Sequence, residues 1–420
     1  MSTQIVEFDR FIKTANFWYS FNGIVAYDDI YRQPGDEPKR RSVQTRLATV
    51  LRQIFSFVSL ANLTWVLIIE TLFVVVNFVE NADFLEAARN FTFMGFVIVA
   101  IIKYLSNLKQ RSRLSVLMQK LYEIYPKQST DQRPYDLQSH LRHYRRIGFI
   151  YAFLYAFTVW AYNSLPMVNY LLLAPLLQQT VYERVLPYSC WVPFEWRDNW
   201  LYYPLYVSQA LAGHEALAAY LASDLLLCAA MVQLIMHFRK LARDIQAYQA
   251  GSSCTKQDVM AQQAKRDLSF LSTAVYYHNR TLALCQLINE IFGLPVLINF
   301  ISTSFVMCFL AFQFTVGVSF DDLIMLVFYM ICSLVQIYMI CSYGQELVTA
   351  SENIGHVVYN HNWLVTDIRY KKLLIMIIER AQKPAILRAT SFLNVSMGTI
   401  TDLLQLSYKF YALIRTMYAR

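Results

Sequence analysis

The stretch Ile377–Phe392 reads IIERAQKPAILRATSF and stands directly before the last apolar run of the chain. Together with the preceding IRYKKLLIM it forms a segment, beginning at Ile368, whose apolar residues recur at helical spacing. Pro384 cannot continue a helix, so the pattern predicts an amphipathic helix that stops at this proline. Whether this helix belongs to an ordinary loop or to a folded element that positions the last apolar run depends on the class of protein around it.

The composition is that of a membrane protein. Of the 420 residues, 56% are hydrophobic and only 16% are charged, and the mean hydropathy is +0.32. Soluble domains carry about 25% charged residues. The net charge of +8 lies in blocks between apolar runs rather than on one basic face, which indicates membrane topology and gives no reason to expect nucleic acid as a partner.

Seven apolar runs are long enough to cross a bilayer, which takes about 20 predominantly apolar residues. These predicted spans cover 54–79, 91–108, 147–177, 205–236, 286–316, 323–345 and 390–414. The inner connections also carry apolar residues at helical spacing, so we expect helices that extend the spans into the cytoplasm and pack together there. The fold class predicted from these runs is an all-α membrane protein with seven transmembrane helices.

Lysine and arginine are distributed unevenly between the connections. Of the 37 such residues, 30 lie in the stretches 1–50, 103–146, 237–284 and 346–389. The alternate connections hold three basic and eight acidic residues, and cover 80–90, 179–204 and 317–322. By the positive-inside rule the N-terminus is cytoplasmic, and seven spans then place the C-terminus outside the cell. The sequon Asn90-Phe91-Thr92 falls in a predicted outer connection, which makes Asn90 a candidate glycosylation site.

Signatures of enzymes and metal sites are absent from the sequence. It contains no phosphate-binding loop, no Gly-x-Ser-x-Gly elbow and no HExxH motif. His140 and His143 have a spacing that suits metal ligands, but they stand in a basic stretch without neighbouring cysteines, where a solvated helix face is the better interpretation. The seven cysteines form no CxxC pair. We expect no catalytic residue, no metal and no cofactor.

Charged residues inside predicted spans require an explanation, because each costs about 2.5–3.5 kcal/mol on insertion scales. Glu70, Glu215, Asp224, Asp402 and Lys409 are such residues. For Glu70 and Asp224 a structural role as buried hydrogen-bonding groups is favoured over a functional one. Asp402 and Lys409 share the last span and stand about 10 Å apart along its axis, which is too far for a direct ion pair.

The last span has a stripe of side chains that suits a pore wall. Leu404, Ser407, Tyr411 and Ile414 follow a 3-4-3 spacing and therefore share one helix face. A hydrophobic constriction can close a pore by dewetting, and an acid nearer the cytoplasm, here Asp402, attracts cations. Periodicity alone favours the simpler alternative, in which the stripe only packs against neighbouring helices.

Aromatic residues are abundant in the outer halves of the second, third and fourth spans. An apolar cage with few polar atoms would suit a small volatile ligand. The candidate pocket residues are Phe91, Met94, Phe153, Ala156, Phe157, Trp160, Tyr206, Gln209 and Tyr329. The alternative is an ordinary helix core with an aromatic belt at the membrane interface.

The C-terminal 80 residues resemble the insect odorant receptor family. The resemblance lies in SYGQELVTASENIGHVVYNHNWL and in MIIERAQKPAILRATSFLNVSMGTITDLLQLSYKFYALI. The matching residues are Gly344, Glu346, Ser351, Tyr359, Trp363, Arg380, Gln382, Lys383, Pro384, Phe392, Ser396 and Tyr408. Length, topology and long inner connections agree with this family, whereas the first 340 residues match it only in layout.

This resemblance implies a tetrameric, ligand-gated, non-selective cation channel without enzymatic activity. The chain would be a tuning subunit that binds a volatile organic ligand and assembles with the family's co-receptor in the plasma membrane of olfactory sensory neurons. Four copies of the last helix would line the pore. On this basis the hydrophobic gate falls on Tyr411 and the next pore-facing position on Ile414, where the co-receptor has smaller aliphatic and amide residues.

The resemblance also divides the chain into four regions. They are a cytoplasmic segment at 1–50, six transmembrane helices with an outer ligand pocket at 51–345, a cytoplasmic anchor region at 346–389 and a pore helix with a short tail at 390–420. Trp363, Arg380, Pro384 and Tyr408 would serve anchoring and assembly. On this basis Ile377–Phe392 is a folded element that leads into the pore helix.

Two other functions remain as alternatives. A G-protein-coupled receptor also has seven spans, but its N-terminus lies outside the cell, and the sequence lacks the Asp-Arg-Tyr and Asn-Pro-x-x-Tyr motifs of that class. A gustatory-type relative would form a homomeric channel and conduct without the co-receptor.

Overall fold

The computed structural model describes residues 5–28, 43–81, 84–173, 184–251, 257–317, 320–390 and 393–418. Helices account for nearly all regular structure in these ranges, which contain no β-strand and only the isolated bridge between Arg388 and Asn394. In chain order the α-helices are α1 Asp9–Phe21, α2 Val43–Val76, α3 Phe84–Lys109, α4 Arg111–Ile124, α5 Ser129–Gln132, α6 Leu137–Val168, α7 Tyr202–Ala247, α8 Gln257–Val316, α9 Phe320–Asn360, α10 Ile368–Ala381 and α11 Met397–Tyr418. One-turn π-helices, Asn77–Asn81 and Asn169–Leu173, continue α2 and α6.

The seven predicted spans correspond to α2, α3, α6, α7, α8, α9 and α11. Five of these helices are long and apolar enough to cross a membrane, namely α2, α3, α7, α8 and α9. The other two overlap predicted spans but are less apolar, because α6 is rich in tyrosine and α11 carries Asp402, Lys409 and Arg415. The end of the third predicted span, 174–177, lies outside the described residues.

Several helices continue well beyond their predicted spans on the side that the charge pattern assigns to the cytoplasm. Helix α7 runs to Ala247, α9 runs to Asn360, and α8 begins at Gln257, far before residue 286. With 60 residues α8 is about 90 Å long, whereas the hydrocarbon core of a bilayer is about 30 Å thick. Helix α7 lies at the centre of the bundle, since its apolar stretch is entirely buried and it packs against α1, α2, α3, α6, α8 and α9.

The N-terminal segment forms a hairpin that the sequence does not predict. Helix α1 packs along α7, and the chain reverses at Gly23, whose φ of +64° belongs to the left-handed region that favours glycine. The side chain of Asn22 donates to the Glu215 carbonyl at 2.9 Å, so the tip of the hairpin reaches the level of the fourth predicted span. The chain then returns to Asp28, whose carboxylate pairs with Arg111 at 2.6 Å.

The connection between α10 and α11 is folded. Helix α10 ends at Ala381, three residues before Pro384, and an extended segment comes after it. Asn289 on α8 holds this segment by accepting from the Arg388 amide at 3.0 Å and donating to the Ile386 carbonyl at 2.9 Å. The chain then pairs back on itself, with the Val395 amide donating to the Leu387 carbonyl at 2.8 Å. Helix α11 therefore begins at Met397, later than the predicted start of the last span at residue 390.

Gly344 on α9 fits closely against this connection. A Cβ atom at Gly344 would lie 2.5 Å from the Val395 carbonyl oxygen. We expect Gly344→Ala to displace the start of α11 and to lower the free energy of unfolding by about 1–3 kcal/mol. Gly398→Ala is the matched control, because its Cβ would meet Ser396 at an ordinary 3.6 Å. Thermal unfolding of the purified variants measures both effects, and equal melting temperatures would contradict the tight contact.

Candidate functional site

An enclosed cavity lies among α2, α3, α6, α7 and α9, and is closed by the segment before α7. Its volume is about 30 Å³, which is room for one small molecule of the size of water. The lining is almost entirely aromatic and aliphatic, and consists of Val66, Glu70, Phe93, Phe96, Val97, Tyr155, Thr158, Val159, Tyr162, Tyr188, Ala212, Gly213 and Tyr329. A larger ligand would fit only after these side chains change rotamer.

Glu70 is the exceptional polar group in this cavity. Its side chain is 1% exposed, and neither carboxylate oxygen has a hydrogen-bond partner within the part of the chain that the structure describes. Two other polar side chains of the lining have hydrogen-bond partners. Thr158 donates to the Leu154 carbonyl at 2.9 Å, and Tyr188 donates to the side-chain oxygen of Asn163 at 3.1 Å. A buried polar group without a partner is costly, so Glu70 is a group that a ligand could satisfy.

Tyr188 closes the cavity from the segment that precedes α7. Gln209 fixes this segment by accepting from the Tyr188 amide at 3.1 Å and donating to the Tyr188 carbonyl at 3.0 Å. Burial raises the pKa of the Tyr188 phenol well above its usual range, and the nearby Glu70 carboxyl raises it further. Tyr188 therefore stays a neutral hydrogen-bond donor at every physiological pH.

A chain of hydrogen bonds leads from the cavity to a buried ion pair. Tyr155 lines the cavity and donates to the Gln336 side chain on α9 at 3.0 Å. Gln336 donates to Asp224 on α7 at 2.6 Å, and Tyr151 donates to the same carboxylate at 2.8 Å. Lys103 on α3 completes the cluster with an ammonium–carboxylate distance of 2.6 Å to Asp224. We call Lys103, Tyr151, Tyr155, Asp224 and Gln336 the polar cluster.

The charged residues that were singled out in the spans have different surroundings. Asp224 is part of the polar cluster, whereas Glu215 accepts from the Asn62 amide at 3.1 Å. The charge pattern alone does not reveal the buried position of Lys103, because Lys103 stands at the boundary between a predicted span and the basic inner stretch 103–146. A lysine inside the apolar run VAIIKYL was the signal that could have identified it.

The predicted pocket residues do not come together in the structure. Tyr329 lines the cavity, whereas Phe153, Ala156, Phe157 and Trp160 line a separate groove on the other side of α6. The reason is helix geometry, because positions 153, 157 and 160 share one face and positions 155, 158, 159 and 162 share the opposite one.

The remaining four predicted pocket residues lie at the margins of the cavity or support it. Phe91 stacks on Phe309 at a ring distance of 5.5 Å, and Met94 packs against Val74. Tyr206 donates to the Asn163 carbonyl, and Gln209 holds the segment that carries Tyr188. The sequence did not identify Glu70, Val159 or Tyr188 as pocket residues. The spacing of apolar residues along a helix does not show which neighbouring helix each of its faces contacts.

The predicted pore residues on α11 occupy different environments within one chain. Helix α11 packs against α8 and α9, and Phe410 stacks on Phe305 at 5.1 Å. Ser407 is buried and donates to the Leu403 carbonyl, whereas Leu404 and Asp402 are exposed. Tyr411 and Ile414 are half-buried. A pore-lining role for these side chains stays a prediction.

The predicted anchor residues lie around the folded connection. The Trp363 indole donates to the Tyr359 carbonyl at 3.0 Å, and Arg380 donates to the Lys383 carbonyl at 2.7 Å, directly before the half-buried Pro384. Tyr408 is 68% exposed, so its side chain is available to a neighbouring subunit. Phe392 of the resembling pattern lies outside the described residues.

The candidate glycosylation site has a buried position. Asn90 lies inside α3 rather than in a loop, is 2% exposed, and its side chain donates to the Ser189 carbonyl at 3.3 Å. A glycan would have to replace this contact. Within the described ranges no three His, Cys, Asp or Glu side chains come together as metal ligands.

Fold and site together define a multi-pass helical membrane protein with a small aromatic cavity among its helices. Residues 83–408 match the family model described as 7tm Odorant receptor, and the chain belongs to this family. A Drosophila melanogaster protein named as odorant receptor 85d is 42% identical over 97% of this chain and 94% of its own length, and odorant receptor 85b of the same fly is 36% identical over 98% and 100%. The structure of the olfactory receptor OR5 from Machilis hrabei in complex with eugenol has the same fold, with a TM-score of 0.77 at 16% identity and 98% coverage of both chains.

Proposed function

We propose that this chain is the ligand-binding subunit of an odorant-gated, non-selective cation channel. The observation that carries the proposal is the enclosed aromatic cavity, where the Glu70 carboxyl has no hydrogen-bond partner among the described residues and Tyr155 is linked through Gln336 to a buried ion pair. A small volatile molecule with one polar atom matches this arrangement. Membership in the odorant receptor family supports a receptor function and speaks against an enzyme.

The polar cluster offers a route from ligand to pore. A ligand larger than the closed cavity must displace aromatic side chains, and Tyr155 is bonded directly to Gln336 on α9. Helix α9 packs against α11, so a change in the position of α9 alters the support of the last helix. The ligand can shift gating only by binding the open conformation more tightly than the closed one.

The proposed subunit assembly follows that of the odorant receptor family. The chain pairs with the odorant co-receptor in a hetero-tetramer at the plasma membrane of olfactory sensory neurons. Helix α11 lines the pore, with Tyr411 and Ile414 near the gate, and Asp402 attracts permeant cations in the inner vestibule. The exposed charges of α11 support a water-filled path rather than a lipid contact.

Whole-cell currents test this function. The chain is expressed alone and with the co-receptor, with G-protein signalling blocked, and a panel of small aromatic and aliphatic volatiles is applied. We expect fast cation currents only when both chains are present. Current from this chain alone would support the homomeric alternative, and a response that disappears when G-protein signalling is blocked would support the G-protein-coupled one.

Two variants on opposite faces of α6 locate the ligand. Val159→Phe reduces the room in the cavity, so we expect the half-maximal ligand concentration to rise at least tenfold. Trp160 lines the groove on the other side of α6, so Trp160→Ala should change this concentration less than threefold. The reverse pattern would place the ligand in the groove on the other side of α6, which four of the nine predicted pocket residues line. Surface labelling of both variants shows whether they reach the membrane equally.

A further inference from the structure

The face of α6 that carries Phe153, Phe157 and Trp160 lines a groove that differs in character from the central cavity. Together with α1 it encloses a groove of about 920 Å³, much larger than the central cavity. One wall is the hairpin tip with Phe17, Trp18 and Phe21, whose rings contact one another at 5.2–5.5 Å. The other wall is α6. We call this the α1–α6 groove.

The apolar part of the α1–α6 groove is a row of stacked aromatic rings along α6. Phe149, Phe153 and Phe157 stack successively at ring distances of 6.1 and 6.2 Å, and they are 70%, 58% and 46% exposed. Each follows the previous one by four residues, so the rings form a continuous strip. Phe157, at one end of the strip, also contacts Phe328 of α9 at a ring distance of 5.5 Å, whereas more than half of the Phe149 and Phe153 side chains stays exposed.

The other end of the groove is strongly basic. Arg142, Arg145 and Arg146 line it, all three are exposed, and none forms an ion pair with a described carboxylate. Arg142 has one local hydrogen bond, from Nε to the Gln138 carbonyl at 3.3 Å. These arginines directly precede the third predicted span, so they stand at the membrane surface that the charge pattern assigns to the cytoplasm.

The dimensions match one lipid leaflet. From Arg146 to Phe157 the helix rises about 16 Å, and half the hydrocarbon core of a bilayer is about 15 Å. A molecule that fills the groove therefore has an anionic head at the cytoplasmic surface and an apolar tail that ends near the bilayer centre. We propose that the α1–α6 groove binds an anionic phospholipid of the cytoplasmic leaflet, with its head group on Arg142, Arg145 and Arg146 and an acyl chain along Phe149, Phe153 and Phe157.

Charge complementarity favours a lipid over the other possible occupants. A second copy of the chain in a two-fold contact would bring the same three arginines to the interface, which would repel each other. A neutral odorant would leave the guanidinium groups without an anion. Because three basic side chains near a membrane each attract anionic lipid, the preference for it should be large.

Lipid retention tests the proposal on the full-length chain. The purified protein is equilibrated with vesicles of phosphatidylcholine and phosphatidylserine at 4:1 with matched acyl chains, and native mass spectrometry counts the retained lipids. We expect the ratio of phosphatidylserine to phosphatidylcholine among the retained lipids to be at least tenfold higher than the 1:4 ratio in the vesicles. The variant Arg142→Gln/Arg145→Gln/Arg146→Gln should lose this preference, and Phe149→Ala/Phe153→Ala should weaken retention of both lipids.

The control variant removes the same charge elsewhere. Lys109→Gln/Arg113→Gln/Lys120→Gln changes three exposed basic positions on α3 and α4 that do not line the groove, and it should keep the preference. Size-exclusion profiles of all variants report correct folding. Equal retention of the two lipids by the wild-type protein, an equal loss in the control, or displacement of the lipid by a neutral odorant would each overturn the proposal.

Discussion

Replacing Lys103 with methionine should remove most of the protein from the cell surface. The Lys103 and Asp224 side chains are 1% and 4% exposed, and their charged groups are 2.6 Å apart. Removing one partner of a buried pair leaves the other charge without compensation and costs about 3–5 kcal/mol. Whole proteins are stable by only about 5–15 kcal/mol, so a loss of this size should lower the amount at the surface more than tenfold.

A double substitution distinguishes the contribution of the ion pair from the contributions of Lys103 and Asp224 alone. Asp224→Asn alone leaves the Lys103 ammonium buried without a carboxylate, so it should be nearly as damaging as Lys103→Met. In the combined variant neither charge remains, and the amide oxygen of Asn can still accept from Tyr151 or Gln336. We therefore expect the double variant to recover most of the lost thermal stability, because replacing a buried pair is far less costly than breaking it.

An exposed ion pair provides the control for this experiment. Arg280 and Glu123 pair on the side that the charge pattern assigns to the cytoplasm, with side chains 33% and 47% exposed. Exposed pairs contribute about 0–1 kcal/mol, so Arg280→Met should leave surface labelling within twofold of the wild type. If the Lys103→Met/Asp224→Asn variant were as unstable as either single variant, the pairing would not explain the loss.

The sequence was sufficient to predict the helical spans because their signal is local. Each span is an apolar run, and the charge of the connections reports orientation without knowledge of packing. The amphipathic segment before Pro384 was likewise predicted as a helix, and α10 is found there. The conformation of the chain after Pro384 depends on Asn289, which is distant in sequence, and on Val395, which pairs with Leu387 only after folding. The late start of α11 could therefore not be predicted.

The site was harder to predict because it depends on how helices are rotated against one another. Span α6 is apolar and aromatic on both faces, so its sequence does not distinguish Tyr155, which faces the cavity, from Phe153, which faces the α1–α6 groove. The hairpin at the N-terminus was missed for a related reason. Its 13-residue helix is too short to be a span, and its position is given by its packing along α7 and by the contact of Asn22 with the Glu215 carbonyl.

Glu70→Leu is expected to stabilise the empty protein and to weaken its response to oxygen-bearing odorants. Both carboxylate oxygens of Glu70 lack a partner among the described groups, so removing them relieves a cost of about 1–3 kcal/mol and should raise the melting temperature of the ligand-free protein. A group that destabilises the fold is expected to have a function, and here that function would be a hydrogen bond to the ligand.

The ligand response separates this explanation from a purely structural one. An alcohol whose hydroxyl donates to Glu70 should lose five- to hundredfold in sensitivity in Glu70→Leu, since about 1–3 kcal/mol of binding is lost. A hydrocarbon of the same shape should lose nothing, because it never made the bond. Glu70→Gln keeps an acceptor oxygen in a side chain of nearly the same shape and should retain most of the sensitivity to the alcohol.

Thr71→Val is the matched control for this series. Thr71 is the next residue on α2, its hydroxyl donates to the Leu67 carbonyl at 2.7 Å, and it does not line the cavity. Its removal should leave the ranking of ligands unchanged. If Glu70→Leu shifted the sensitivity to alcohol and hydrocarbon equally, the carboxyl would act on gating in general. If neither sensitivity changed while the melting temperature rose, Glu70 would be a buried group without a part in ligand recognition, and the polar end of the ligand would have to be sought elsewhere along the cavity wall.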